Sequence, residues 1–177
     1  MRPRRVKPNE NRPVDLPGAG VDISAFGKSK PAARIEARSS GAYPSFLDTN
    51  VLLYCDDSAN PAKQQKALDI VLEQKRKGTG VVSLQVLQEY FANVTRKLGL
   101  DPDLAKKKVE VYARFRVVEL SVADILAAID LHRLHHLSFW DSLIVRAATQ
   151  SGCRVLLTED MQHGEVIEGV RIVNPFL

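Results

Sequence analysis

Short apolar runs alternate with helix-length amphipathic segments along this chain, and that alternation restricts the fold more than any other feature. The runs are Phe46-Leu47, Val81-Val82, Val117-Val118-Glu119-Leu120, Val155-Leu156-Leu157 and Val170-Arg171-Ile172-Val173. Between them, residues 61–77 carry Ala62, Ala67, Leu68, Val71 and Leu72 on one side, and Gly78 stops the helix. Ser83 caps a helix to about residue 98, with Leu84, Leu87, Tyr90, Phe91, Val94 and Leu98 as its expected core stripe and Glu89 flanking that stripe. Asp101-Pro102 starts a helix to about residue 115 that buries Leu104, Val109 and Tyr112. Ser121 starts another through Ile125, Ala128, Ile129 and Leu131, and a last helix spans residues 139–151. Strands alternating with helices predict an α/β fold: a mostly parallel central sheet in three α/β/α layers.

The 177 residues suit one globular domain with some excess. The excess lies at the start. Residues 1–43 are rich in Pro, Gly, Ser and Arg without a sustained period and read as a flexible basic extension, with one brief helical turn at residues 22–26. Residues 44–177 form the expected domain. The net charge of +4 belongs to the extension: residues 1–44 hold nine Lys/Arg against four acids, and the remainder holds 16 against 17. Such a body is not a simple basic nucleic-acid clamp, so phosphate binding there needs a metal between the two anions. Neither a secretory signal nor a membrane span is evident. Cys55 and Cys153 stand in unrelated contexts, which fits a reducing compartment and suggests the cytoplasm.

The run from Ser45 to Leu52 reads as a buried strand that delivers Asp48 and Asn50 where it ends. In open α/β sheets ligands gather outside the carboxyl ends of the strands. Three later stretches bring acids to comparable places: Gln88-Glu89-Tyr90, Trp140-Asp141-Ser142 and Thr158-Glu159-Asp160. Asp141 is the most informative, because it is in register with Ile144, Val145 and Ala148 on a buried stripe, where a lone anion is costly. Taken singly, each acid has a structural use. Asp48 can cap the following turn, Glu89 can pair with a cation, Asp141 suits a helix first turn and Asp160 an Asx turn. Together they read as a cluster meeting at the sheet rim.

Carboxylates a few ångström apart repel one another, and a hard divalent cation relieves that repulsion. Oxygen-only ligands select Mg²⁺ or Mn²⁺ over zinc. A bound ion of that kind can hold a phosphate oxygen and activate a water for in-line attack. Asn50 and Thr158 add neutral groups that orient ligands or waters.

At these residues the sequence resembles the PIN-domain family, and within it the VapC-like ribonuclease toxins of bacterial toxin–antitoxin pairs. The matching pieces are Phe46-Leu47-Asp48-Thr49-Asn50-Val51-Leu52, Leu87-Gln88-Glu89-Tyr90, residues 140–148 beginning Trp140-Asp141-Ser142, and Leu156-Leu157-Thr158-Glu159-Asp160. Their order and spacing carry the resemblance, which covers residues 44–177. It implies that Asp48, Glu89, Asp141 and Asp160 are the metal ligands and catalytic residues of an endoribonuclease using Mg²⁺ or Mn²⁺. It also implies an RNA substrate, a homodimer and a cognate antitoxin. Glu159 stands beside Asp160, and the spacing from Thr158 favours Asp160. The extension lies outside the resemblance.

Other constellations are weaker. Lys106-Lys107-Lys108 suits a solvated face better than a nucleic-acid contact. His132 and His136 sit one helical turn apart without a third metal ligand, and Phe139 and Trp140 suit core packing better than base stacking. The residues around 164–169 look like a turn before the final strand. Two rival functions remain. A haloacid-dehalogenase-like phosphatase would use Asp48, but Asn50 stands where that chemistry wants an acid. A catalytically inactive RNA- or protein-binding module would keep the fold, but the carboxylates would oppose RNA in the absence of metal.

Overall fold

A computed structural model of the chain describes residues 43–177. The expected helical turn at residues 22–26 and the basic extension up to residue 42 lie outside the described residues. The order is β1 (Ser45–Leu47), α1 (Thr49–Tyr54), α2 (Pro61–Lys77), β2 (Gly80–Ser83), α3 (Leu84–Lys97), α4 (Pro102–Tyr112) and β3 (Arg116–Val118). There follow α5 (Val122–His135), α6 (Phe139–Gln150), β4 (Val155–Leu157), β5 (Val166–Ile167) and β6 (Val170–Val173).

The sheet order is β3-β2-β1-β4-β6-β5, parallel throughout except for the β5–β6 pair. From β1 the chain steps outward through β2 and β3, then returns to place β4 on the other side of β1. The β1/β4 seam is therefore where the winding reverses, the position at which such sheets open a crevice. Phe46 and Leu47 point to opposite faces of β1, and both are fully buried, so helices cover both faces of the sheet. The expected three-layer fold is the observed one.

Several details differ from expectation. The first strand ends at Leu47, and the run that follows it is helical: Asp48 accepts a hydrogen bond from the Thr49 backbone N–H and caps α1. β-Branched and straight-chain apolar residues in one run do not reveal where strand gives way to helix. On α3 the buried residues are Val86, Leu87, Tyr90 and Val94, while Leu84, Phe91 and Leu98 are exposed. For α5 the sequence marks a helix without a stated buried side; its buried positions are Asp124, Ala128 and Leu131, with Ile125 and Ile129 exposed. The presumed turn before the last strand contains β5, a short hairpin arm closed through Glu168 and Gly169, both at positive φ. Trp140 does not fill the core; it is exposed and meets Phe139 edge to face at 5.5 Å. Gly80 opens β2 because the Phe115 ring presses on its backbone: an added Cβ would lie 2.6 Å from that ring.

Lys108 corrects the reading of the lysine run most sharply. Lys106 and Lys107 are exposed, but Lys108 is buried and pairs with Asp56, whose other oxygen accepts the Tyr90 hydroxyl at 2.7 Å. This pair ties α4 and α3 to the end of α1. Across the molecule, Arg146 of α6 grips Asp124 of α5 through Nε and Nη2 at 3.0 and 2.9 Å, and Ser121 completes a capping box. Cys55 and Cys153 are free and buried. No described helix is long and apolar enough to cross a membrane.

Candidate active site

Register assembles the site. Leu47 lies opposite Leu157, so the next residues out of the sheet, Asp48 and Thr158, emerge side by side. The Asp48 N–H donates to the Leu157 carbonyl at 3.1 Å, and the Thr158 hydroxyl donates to Asp48 Oδ2 at 2.7 Å. Two residues further along each segment stand Asn50, in the first turn of α1, and Asp160. The Asn50 amide nitrogen donates to Asp48 Oδ2 at 3.2 Å, Thr158 Oγ1 at 3.1 Å and Asp160 Oδ2 at 3.1 Å. Thr158 Oγ1 also accepts the Asp160 N–H at 3.1 Å, which fixes the turn that presents Asp160.

Glu89 joins from α3. The Thr49 hydroxyl donates to Glu89 Oε2 at 2.8 Å, and Gln85, one turn earlier on α3, donates to Oε1 at 2.8 Å. Sequence reasoning passed over both partners. Their only signal was position: Thr49 follows the key aspartate, and Gln85 lies four residues before Glu89. Gln85 also reaches the Trp140 carbonyl at 3.4 Å, which brings the start of α6 to the edge of the group.

Asp141 follows Trp140 but is differently engaged. Ser138 caps α6 by accepting the Asp141 N–H at 3.1 Å, and its hydroxyl donates to Asp141 Oδ2 at 2.7 Å. No hydrogen bond joins Asp141 to Asp48, Glu89 or Asp160. The structure thus links three of the four expected carboxylates and leaves the fourth at the rim. Among the described residues, no three His, Cys, Asp or Glu side chains converge as a ready-made metal cluster.

Glu159 turns away from this group. It pairs with Lys63 at 2.6 Å and accepts the Tyr54 hydroxyl, while the Lys63 ammonium also sits 4.4 Å from the centre of the Tyr54 ring. Asp160 is therefore the acid of that segment that meets Asp48 and Asn50.

Electrostatics sets Asp48 apart. Burial raises its carboxyl from 3.8 to about 7, Asp160 and Glu89 push in the same direction, and hydrogen bonds from Thr158 and Thr49 oppose the rise. Among the described residues, no cation is hydrogen-bonded to Asp48, Glu89 or Asp160. Asn50 Oδ1 is the single buried side-chain polar atom without a partner among the described residues. An all-oxygen donor set, under mutual repulsion and with an unused carboxamide oxygen, has the chemistry of a hard divalent cation site.

Beside these groups opens a pocket of about 320 Å³ between the outer side of α1 and α3, with Glu159 and Asp160 at one end. A parallel α/β sheet with acids at its winding reversal defines a class of rim-site proteins. Residues 45–168 match the family model of the PIN domain, and the chain belongs to that family. Two solved structures are similar in fold. One is Mycobacterium tuberculosis VapC20, a toxin that cleaves the sarcin–ricin loop: 18% identity, TM-score 0.55, covering 66% of this chain and 91% of that one. The other is a chain of a toxin–antitoxin complex from Klebsiella pneumoniae: 18% identity, TM-score 0.55, covering 74% and 97%. No relative with a curated description matches the chain in sequence.

Proposed function

We propose that this protein is a metal-dependent endoribonuclease hydrolysing RNA phosphodiester bonds, and that it is the toxin of a toxin–antitoxin pair. The observation that carries the reading is the knot of Asp48, Asn50, Thr158 and Asp160 at the β1/β4 seam, with Glu89 tied in through Thr49. PIN-family membership and the likeness to a sarcin–ricin-loop-cleaving toxin and a toxin–antitoxin complex support it.

Asp48, Glu89 and Asp160 would hold Mg²⁺ or Mn²⁺, with Asp141 as a fourth carboxylate. Such an ion supplies a Lewis acid for a phosphate oxygen and lowers the pKa of a water. The protein's own part is positional. Thr158 and the Thr49 N–H occupy one lone pair on each Asp48 oxygen and so fix the carboxylate plane. Gln85 and Thr49 brace Glu89 from two sides. Asn50 bridges Asp48 to Asp160 and keeps the two acids in register while they repel one another.

The same proposal includes a cognate antitoxin, a homodimer for which exposed Val122, Leu126 and Ile129 of α5 offer an apolar face, and action in the cytoplasm. The deciding experiment is cleavage of a mixed structured RNA by the full chain with Mg²⁺, Mn²⁺ or EDTA, beside Asp48→Asn and Asp141→Asn variants shown to be folded. Cleavage that requires metal and is lost in the variants is the expected result. RNA binding that is indifferent to EDTA and brings no cleavage would instead establish a binding module.

A further inference from the structure

The pocket beside the acids has a second, chemically different end. Glu89, Asn93 and Lys97 stand four residues apart on α3 and share one side of it, so about 12 Å of helix separates the first from the last. The facing wall comes from α1 and the residues after it: Asn50, Leu53, Tyr54 and Asp57. The walls therefore run from acid at Glu89 and Asp160, past apolar carbon at Leu53 and Tyr54, to the Lys97 ammonium with Leu98 beside it, and Asp57 stands on the facing wall.

Of the other charged groups on these walls, one is ion-paired and one is engaged by neutral hydrogen-bond donors. Glu159 is matched by Lys63, and the Asp57 oxygens accept the Ala59 N–H at 3.1 Å and the Asn60 amide at 2.6 Å. Lys97 is exposed and has no hydrogen-bond or ion-pair partner among the described residues. Among the described residues it is the one cationic side chain lining the pocket. Asn93, which also lines the pocket, accepts from Arg96 through Oδ1 at 3.1 Å, and its amide nitrogen has no hydrogen-bond partner among the described residues.

We propose that this pocket is a subsite for one nucleotide of single-stranded RNA next to the bond that is cut, with Lys97 holding the neighbouring phosphate and Asn93 donating to the base or ribose. The inference rests on the ribonuclease reading. A polyanion entering a crevice lined by acids needs a counter-charge where its backbone continues, and Lys97 supplies it one nucleotide away. The apolar middle takes a base or sugar edge, and a volume of about 320 Å³ is small for a ligand pocket and fits a single nucleotide. An amide-bearing residue in that middle is suited to recognising a carbonyl or 2′-hydroxyl acceptor.

The test measures cleavage kinetics of a single-stranded RNA oligonucleotide pool by the full chain with Mn²⁺, and binding of the same pool across a salt series. The proteins are wild type, Lys97→Ala, Lys97→Arg and Asn93→Ala, each checked for an unchanged melting temperature. Lys97→Ala should raise KM about tenfold with kcat within about twofold, and should reduce the salt slope of binding by about one, while Lys97→Arg restores both. Asn93→Ala should alter base preference at one position beside the cut. Wild-type cleavage with KM and salt slope unmoved by Lys97→Ala would overturn the subsite and leave the ribonuclease reading standing. Failure of the wild type to bind or cleave any RNA would overturn both. Equal use of a DNA pool, with the same dependence on Lys97, would overturn the assignment to RNA.

Discussion

Thr49 and Glu89, forty residues apart in sequence, are joined by a 2.8 Å hydrogen bond from the threonine hydroxyl to the glutamate. The bond couples the first residue of α1 to the middle of α3 and so sets how far Glu89 stands from Asp48. Thr49→Val keeps the side-chain shape and removes the donor. Gln85 then remains the one brace on Glu89 among the described residues. A stability loss of about 1 kcal/mol is expected, together with a drop in RNA cleavage of about tenfold or more, because a misplaced group costs far more in rate than in folding. Thermal melting and cleavage rates on the same preparations check this.

Asp48 makes activity and stability oppose each other. Its folded-state carboxyl lies near 7 against an ordinary 3.8, so the fold is favoured while Asp48 is protonated and loses that contribution as pH rises from about 4 through 7. In metal-free buffer at pH 8, Asp48→Asn should melt higher than wild type by a few degrees, on the order of 2 kcal/mol. The gap should close as pH approaches 4. Cleavage should be abolished. A variant that melts lower than wild type at pH 8 would contradict the assigned burial cost.

Asp124 titrates with the opposite sign. Ser121, through its hydroxyl and its backbone N–H, and then Arg146 hold the Asp124 carboxyl down at about 2. The contribution is present above the ordinary value of 3.8 and is lost as pH falls from about 4 to 2. Ser121→Ala should flatten the acid side of a melting-temperature profile in that window while leaving its shape above pH 5 unchanged.

The Asp56–Lys108 pair, with both side chains almost wholly buried, should reveal itself through one-sided removal. Lys108→Met leaves a buried carboxylate without its cation and should cost about 3–5 kcal/mol. Asp56→Asn combined with Lys108→Met should recover most of that loss, although Tyr90 keeps only a weaker acceptor. Urea unfolding of the single and double variants measures the difference.

Which parts of this molecule were legible from sequence follows from what side-chain patterns encode. Ser83, Ser121 and Asp101 announced helix starts because a cap is a local event, and each caps its helix as expected. Asp48, Asn50, Thr158 and Asp160 could be grouped because residues just beyond parallel strands must share one rim. Lys108 could not be placed. A lysine between two exposed lysines looks solvated, and its burial depends on Asp56, fifty-two residues away. The exposed face of α3 was misread for a related reason, since apolar residues at Leu84, Phe91 and Leu98 carry helical period without stating which neighbour they meet. Asp141 was correctly set in a first turn, but its hydrogen bond to Ser138 is a local choice that a buried stripe does not predict.

The winding reversal at β1/β4 also governs when the site comes into existence. Asp48 and Asn50 are made early, yet their partners Thr158 and Asp160 follow 110 residues later. A ribosome that has synthesised only the β1–β3 half of the sheet carries an aspartate without its threonine and an amide without its second acid. The arrangement closes only after residue 160 has emerged and β4 has paired with β1. Translation itself therefore sets a delay on the assembly of the acidic centre, and chains truncated before that point carry an incomplete one.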